Sequence, residues 1–110
     1  MATLLHNITS TVTKELLALG DNVSAIKSIV ITNVDLNNAS FVDFYLFDKT
    51  NNASYYLVKN KKINKGSTLI LNPTDGVTFD NSINGYSLRA QASDGQSVKS
   101  AVSVDVVINR

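Results

Sequence analysis

Residues 98–108, VKSAVSVDVVI, carry the stretch that decides the fold class. Val98, Val102, Val104, Val106 and Ile108 fall on one parity; Lys99, Ser103, Asp105 and then Asn109 fall on the other. Only Ala101 and Val107 interrupt the second set. Successive strand side chains point to opposite faces, so this alternation predicts a long strand with one buried and one wetted face.

Upstream, the same logic repeats. Residues 23–34 are apolar on both parities, with Ile29 and Ile31 on one and Ile26 and Val30 on the other, which predicts an inner strand covered on both sides for part of its length. Residues 40–48 alternate with Val42, Phe44 and Leu46 against Phe41, Tyr45 and Phe47. Lys49-Thr50-Asn51-Asn52 then reads as a hairpin connection into residues 53–59. A polar stretch over 59–66 precedes short strands at 68–71 and 77–79, separated by Asn72-Pro73-Thr74-Asp75-Gly76, the densest turn signal in the chain. Leu88, Ala90 and Ala92 share one face of a strand over 86–92, and Asp94-Gly95 predicts a hairpin into the terminal strand. Residues 9–19 mix Thr-Val-Thr with helix formers ahead of Gly20; the consistency of the rest favours a strand.

The expected fold is therefore all-β, an antiparallel β-sandwich of jelly-roll or immunoglobulin-like type with seven or eight strands. Residues 23–110 are expected to form one sandwich domain. Residues 1–22 read as an N-terminal arm or first strand, because Leu4, Leu5, Ile8, Leu16, Leu17 and Leu19 exceed what a solvated tail should expose; as an arm, the segment would dock on a neighbouring subunit.

Composition narrows the function classes. The 110 residues fit one domain that can hold a core without disulfides or metals. A formal charge of +1 offers no concentrated basic face for nucleic acid. There is no cysteine, hence no disulfide framework or thiolate site. Residues 1–8 hold no basic n-region and no sustained apolar run, so no leader is expected, and no stretch approaches the ~20 apolar residues of a membrane span. Asparagines cluster between the apolar runs, where they suit turns; the N-x-S/T sequons at Asn7, Asn22, Asn38 and Asn52 read as the same turn chemistry.

No constellation meets the requirements of catalysis, and no enzyme, cofactor or metal is expected. His6 is a lone histidine without positioned partners. Asp43, Asp48, Asp75 and Asp80 sit at strand ends and turns, where carboxylates cap backbone amides. Asp75-Gly76 with Asp80-Asn81 lacks the tighter pattern of a calcium loop. Lys59, Lys61, Lys62 and Lys65, just after Tyr55 and Tyr56, read as protection of an exposed strand edge or as contacts to an acidic protein patch. Tyr45, Tyr55, Tyr56 and Tyr86 would suit a sugar-stacking platform, the main alternative from another class.

In order, Ile26-Lys27-Ser28-Ile29-Val30-Ile31-Thr32-Asn33, Val42-Asp43-Phe44-Tyr45-Leu46, Tyr55-Tyr56-Leu57-Val58-Lys59, Ile63-Asn64-Lys65-Gly66-Ser67-Thr68-Leu69-Ile70-Leu71, Tyr86-Ser87-Leu88-Arg89-Ala90-Gln91-Ala92-Ser93 and Val102-Ser103-Val104 resemble a family of small β-sandwich virion proteins of tailed bacteriophages. These are capsid decoration (cement) proteins and head–tail or tail accessory subunits. The resemblance implies a non-enzymatic role: a homo-oligomer in the virion, made in the host cytoplasm, that binds and stabilises the major capsid protein lattice without cofactor, nucleic acid or membrane. A tail, baseplate or fibre-base accessory role is the alternative within that class, and a carbohydrate- or receptor-binding module the alternative outside it. The chain departs from the family at Ile108-Asn109-Arg110, where an acidic residue is common, and no family site is carried over. From the residues themselves, Leu4, Leu5, Ile8, Tyr55, Tyr56, Lys59, Lys61 and Lys62 are the expected interface.

Overall fold

The computed structural model describes residues 3–9, 13–23, 25–72, 77–93 and 103–109. Alternating sequence becomes strand throughout: β1 (Thr3–Ile8), β2 (Lys14–Leu17), β3 (Ala25–Ile26), β4 (Ser28–Asn33), β5 (Ser40–Asp48), β6 (Ala53–Ile63), β7 (Thr68–Leu71), β8 (Val77–Thr78), β9 (Ser87–Ser93) and β10 (Val104–Asn109). Two four-stranded antiparallel sheets form, in the orders β1-β10-β4-β7 and β2-β9-β5-β6; β3 and β8 make a separate two-stranded ladder.

The pairing selects between the two expected sandwiches. Among the eight strands of the main sheets, the first pairs with the last (β1 with β10) and the second with the seventh (β2 with β9). The third pairs with the sixth (β4 with β7) and the fourth with the fifth (β5 with β6). That is one antiparallel ribbon doubled back on itself. Rolling it brings β10 onto β4 and β9 onto β5, which closes each sheet. The fold is a jelly roll.

The core lies between the sheets and follows the predicted parities. Val104, Val106 and Ile108 of β10 are fully buried, as are Ile29 and Ile31 of β4. They face Val42 and Phe44 of β5 and Leu88, Ala90 and Ala92 of β9. Phe44 stands directly opposite Ala90 on the neighbouring strand, so a small side chain makes room for a large one.

Several expectations are corrected. Residues 23–34 are two strands rather than one, broken by a bend at Lys27. The bend reverses the parity, so Ile26 is buried alongside Ile29 and Ile31, while Val30 stays half-buried on the outward side. Apolar residues on both parities thus report a break in phase, not a strand covered on both faces. The strand at residue 53 continues to Ile63 through the polar stretch. β9 and β10 lie in different sheets, so they are not a hairpin. The Asp94-Gly95 turn, residues 98–102, Thr11-Val12 and residues 73–76 lie outside the described residues.

Of the two readings of residues 1–22, the described residues fit the strand and not the arm. β1 pairs with β10 along its whole length and β2 pairs with β9, placing one N-terminal strand at an edge of each sheet. Ile8, Leu16 and Leu17 are core residues. Most of the apolar excess of the segment is spent inside this chain, whereas Leu5 stays exposed.

Two buried asparagines tie the ends of the roll. Asn33 donates from Nδ2 to the carbonyls of Asn38 (2.9 Å) and Ile63 (3.2 Å), and its Oδ1 accepts the amide of Asp35 at 3.0 Å. At the other end Asn81 donates to the carbonyls of Ala18 (3.0 Å) and Tyr86 (2.9 Å) and accepts the amide of Val23 at 3.0 Å. Gly85 is needed in the same corner, because a Cβ there would sit 2.1 Å from the Asp80 carbonyl oxygen.

Candidate functional site: two outward sheet faces

With the inner parities committed to the core, contact chemistry is left to the outward faces. On the first sheet, one cross-strand row is aliphatic from edge to edge. Leu5 stands opposite Val107, Val107 opposite Val30, and Val30 opposite Ile70, which joins all four strands. The two ends of the row are widely open: Leu5 is 72 % exposed and Ile70 55 %. One row on, Asn7, Asp105, Thr32 and Thr68 line up, with the Asn7 amide donating to the Asp105 carboxylate and the two threonine hydroxyls 3.1 Å apart. Val107, an interruption in the terminal alternation, is thus the centre of an aliphatic stripe with a polar border. A contiguous apolar strip rimmed by polar groups is the composition of a protein contact.

The second sheet carries different chemistry outward. Glu15, Arg89, Tyr45 and Tyr56 form a row across β2, β9, β5 and β6. The rings of Tyr45 and Tyr56 are 5.0 Å apart and tilted. Lys59 lies over the Tyr56 ring at 4.4 Å and its ammonium is 3.8 Å from the Asp43 carboxylate. Arg89 lies over the Phe47 ring at 4.1 Å and is 3.3 Å from Glu15. Asp43 also accepts the amide of Asn60, a residue in the left-handed region at φ 52°. The register of β6 slips twice against β5, between Val42 and Phe44 and again between Phe44 and Tyr45, so this edge strand is bulged.

The expected interface residues divide between these surfaces and the interior. Leu5 belongs to the aliphatic row. Tyr56, Lys59 and Lys62 belong to the outward face of the second sheet, Lys62 standing opposite Phe41. Tyr55 and Lys61 pair with Leu46 and Val42, residues of the core side, and project at the open rim. Leu4 is half-buried toward the core and Ile8 is 2 % exposed, so Ile8 offers no surface while β1 is in place. The sequence reading missed Val30, Ile70 and Val107 on one sheet and Glu15, Phe41, Asp43, Phe47 and Arg89 on the other. Aromatic residues on the non-core parity of β5 were the available signal for the second group; the first required the pairing register.

The four tyrosines do not form one platform. Tyr55 and Tyr56 are adjacent in a strand and point oppositely: Tyr56 joins Tyr45 outside, whereas Tyr55 meets Tyr86 edge-on at 6.2 Å at the rim. Lys59 covers the Tyr56 ring on which a sugar would stack.

The remaining candidates have structural work. His6 points inward at the seam between β1 and β2, beside a cleft of about 350 Å³ lined by Leu4, Leu16, Leu17 and Val23. Its Nε2 is buried without a partner. Burial lowers its pKa below 6.5, Lys14 adds to that, and a backbone hydrogen bond with Leu16 opposes it. Asp48 accepts the amides of Thr50 and Asn51 in the β5–β6 turn. Asp80 accepts the Ser82 amide, and hydrogen bonding by Ser82 holds its carboxyl below the usual range. Among the described residues, no three His, Asp or Glu side chains group as a metal site, and no helix is long and apolar enough to cross a membrane.

No family model and no curated protein matches the chain. Among solved structures it is similar to the crystal structure of PirA, with a TM-score of 0.57 and 10% identity over 97% of this chain and 94% of that one. It is also similar to part of a structure of the infectious bursal disease virus Gx strain, with a TM-score of 0.46 and 12% identity. That match covers 97% of this chain and 32% of the other. At such identity the first likeness establishes a shared fold and nothing further.

Proposed function

We propose that the chain is a non-enzymatic virion structural subunit that docks on a repeating protein lattice, in the manner of a capsid decoration or cement protein. The observation that supports this reading is the row Leu5-Val107-Val30-Ile70, an uncovered aliphatic strip spanning an entire sheet face. Burying it on a flat protein surface gains roughly 25 cal/mol per Å² of apolar area, and a symmetric lattice multiplies a modest contact over many copies. The family resemblance supplies the identity of the lattice as the major capsid protein of a tailed phage. A tail or baseplate surface would offer the same flat contact and is the alternative within this class.

The test is retention of tagged chain on undecorated tailed-phage capsids in a sedimentation assay, run beside a glycan array. Capsid retention is expected, and Leu5→Asp with Ile70→Asp should reduce it at least tenfold while leaving the circular dichroism spectrum unchanged. Retention on glycans with none on capsids would overturn the reading in favour of a carbohydrate-binding module.

A further inference from the structure

The outward face of the second sheet alternates in sign from strand to strand. Taken in hydrogen-bonded order, β2 presents Glu15, β9 Arg89, β5 Asp43, and β6 Lys59 and Lys62. The face therefore reads negative, positive, negative, positive. Its opposite charges nearly balance, so it exerts no bulk attraction on an acidic or a basic partner. What it specifies is a partner with the same alternation in the reverse order.

We propose that this partner is a second copy of the chain, packed face to face about a two-fold axis that runs between the sheets, parallel to the strands. Such an axis reverses strand order while keeping cross-strand rows level. β2 then meets β6 of the second copy, and β9 meets β5. Every negative strand faces a positive one. Along the central row Glu15 meets Tyr56 of the second copy with Lys59 above its ring, and Arg89 meets Tyr45 beside Asp43. Opposed sheet faces pack about 10 Å apart, a spacing that the tyrosines and phenylalanines between these charges can fill. Aromatic residues and arginine are the types enriched at the centres of protein interfaces. The side chains of Glu15 and Lys59 are 42 % and 62 % exposed, so each keeps atoms free for a second partner beyond its ion pair within the chain. The contact is isologous: the Glu15–Lys59 pairing occurs twice, once on each side of the axis.

That symmetry gives a direct test by light scattering across a concentration series. The wild-type chain should reach twice its monomer mass. Glu15→Lys alone places lysine against lysine at both contacts, and Lys59→Glu alone places glutamate against glutamate; each variant should dissociate at least tenfold more readily. Mixed in equal amounts, the two variants restore both pairs, and a one-to-one heterodimer should form. Mixing cannot repair a fold, so recovery is diagnostic of contact between copies. If either variant does not fold, judged by circular dichroism, Glu15→Gln and Lys59→Gln should each weaken the dimer, and mixing them should recover it in part, because the heterodimer regains one of the two Glu15–Lys59 pairs. A wild-type chain that stays monomeric at every concentration would overturn the proposal. So would folded reversal variants that fail to recover on mixing, or glutamine variants that dimerise like the wild type. This assay uses free chain only, so its outcome is separate from retention on capsids.

Discussion

Asn33 and Asn81 show what one side chain contributes to this molecule. Each satisfies backbone groups from more than one segment, across separations of up to 63 residues in the chain. Replacing either by Ala leaves buried carbonyls and an amide without partners, at a cost of ~1–3 kcal/mol for each group so stranded. Asn81→Ala and Asn33→Ala should therefore lower the unfolding free energy by about 2–4 kcal/mol in urea titrations, while Asn37→Ala, in an exposed turn, should change it little. The abundance of asparagine between apolar runs was legible as turn chemistry. Asn22, Asn52 and Asn60 do adopt positive φ as that reading implies. Which asparagines turn inward was not legible, because the partners of Asn81 lie in two segments distant from each other in sequence.

At the scale of elements, parity was a reliable guide wherever a strand is unbroken, as in β5, β9 and β10. It misled at the Lys27 bend, where a change of phase imitates a strand covered on both sides. In the N-terminal segment the strand alternative accounts for Ile8, Leu16 and Leu17, which reach the core from two edge strands. β1 is held in the sheet by β10 alone, and His6 faces inward from it with Lys14 of β2 nearby. The folded state lowers the pKa of His6, so it favours the neutral ring. The associated stability is fully present above the ordinary value of 6.5. It is lost as pH falls below that, since the unfolded chain then binds the proton more readily. Corrected for intrinsic rates, amide exchange in the β1–β10 ladder should therefore be faster at pH 5.5 than at pH 7.5. His6→Gln should remove that dependence. A ladder whose exchange, corrected for intrinsic rates, is equal at both pH values would show that His6 does not couple to it.

At the scale of the whole molecule, the sandwich was readable from alternation and turn spacing, but the choice of jelly roll was not. That choice resides in which strands pair, and the chain pairs first with last and second with seventh over separations no local pattern encodes. The contact surfaces follow the same division. Tyr56, Lys59 and Leu5 stand out in the sequence, whereas the row Leu5-Val107-Val30-Ile70 exists only once four distant segments are in register. A dimer closed through the second sheet would carry its two aliphatic rows on opposite outer sides, an arrangement suited to bridging two protein surfaces. The measurement that bears most directly on the proposed role is a cryo-electron microscopy map of undecorated tailed-phage capsids incubated with this chain. The account predicts density for the roll on the outside of the shell, with β1, β10, β4 and β7 turned against the lattice. A map that lacks the chain, or in which no copy turns that sheet against the lattice, would contradict it.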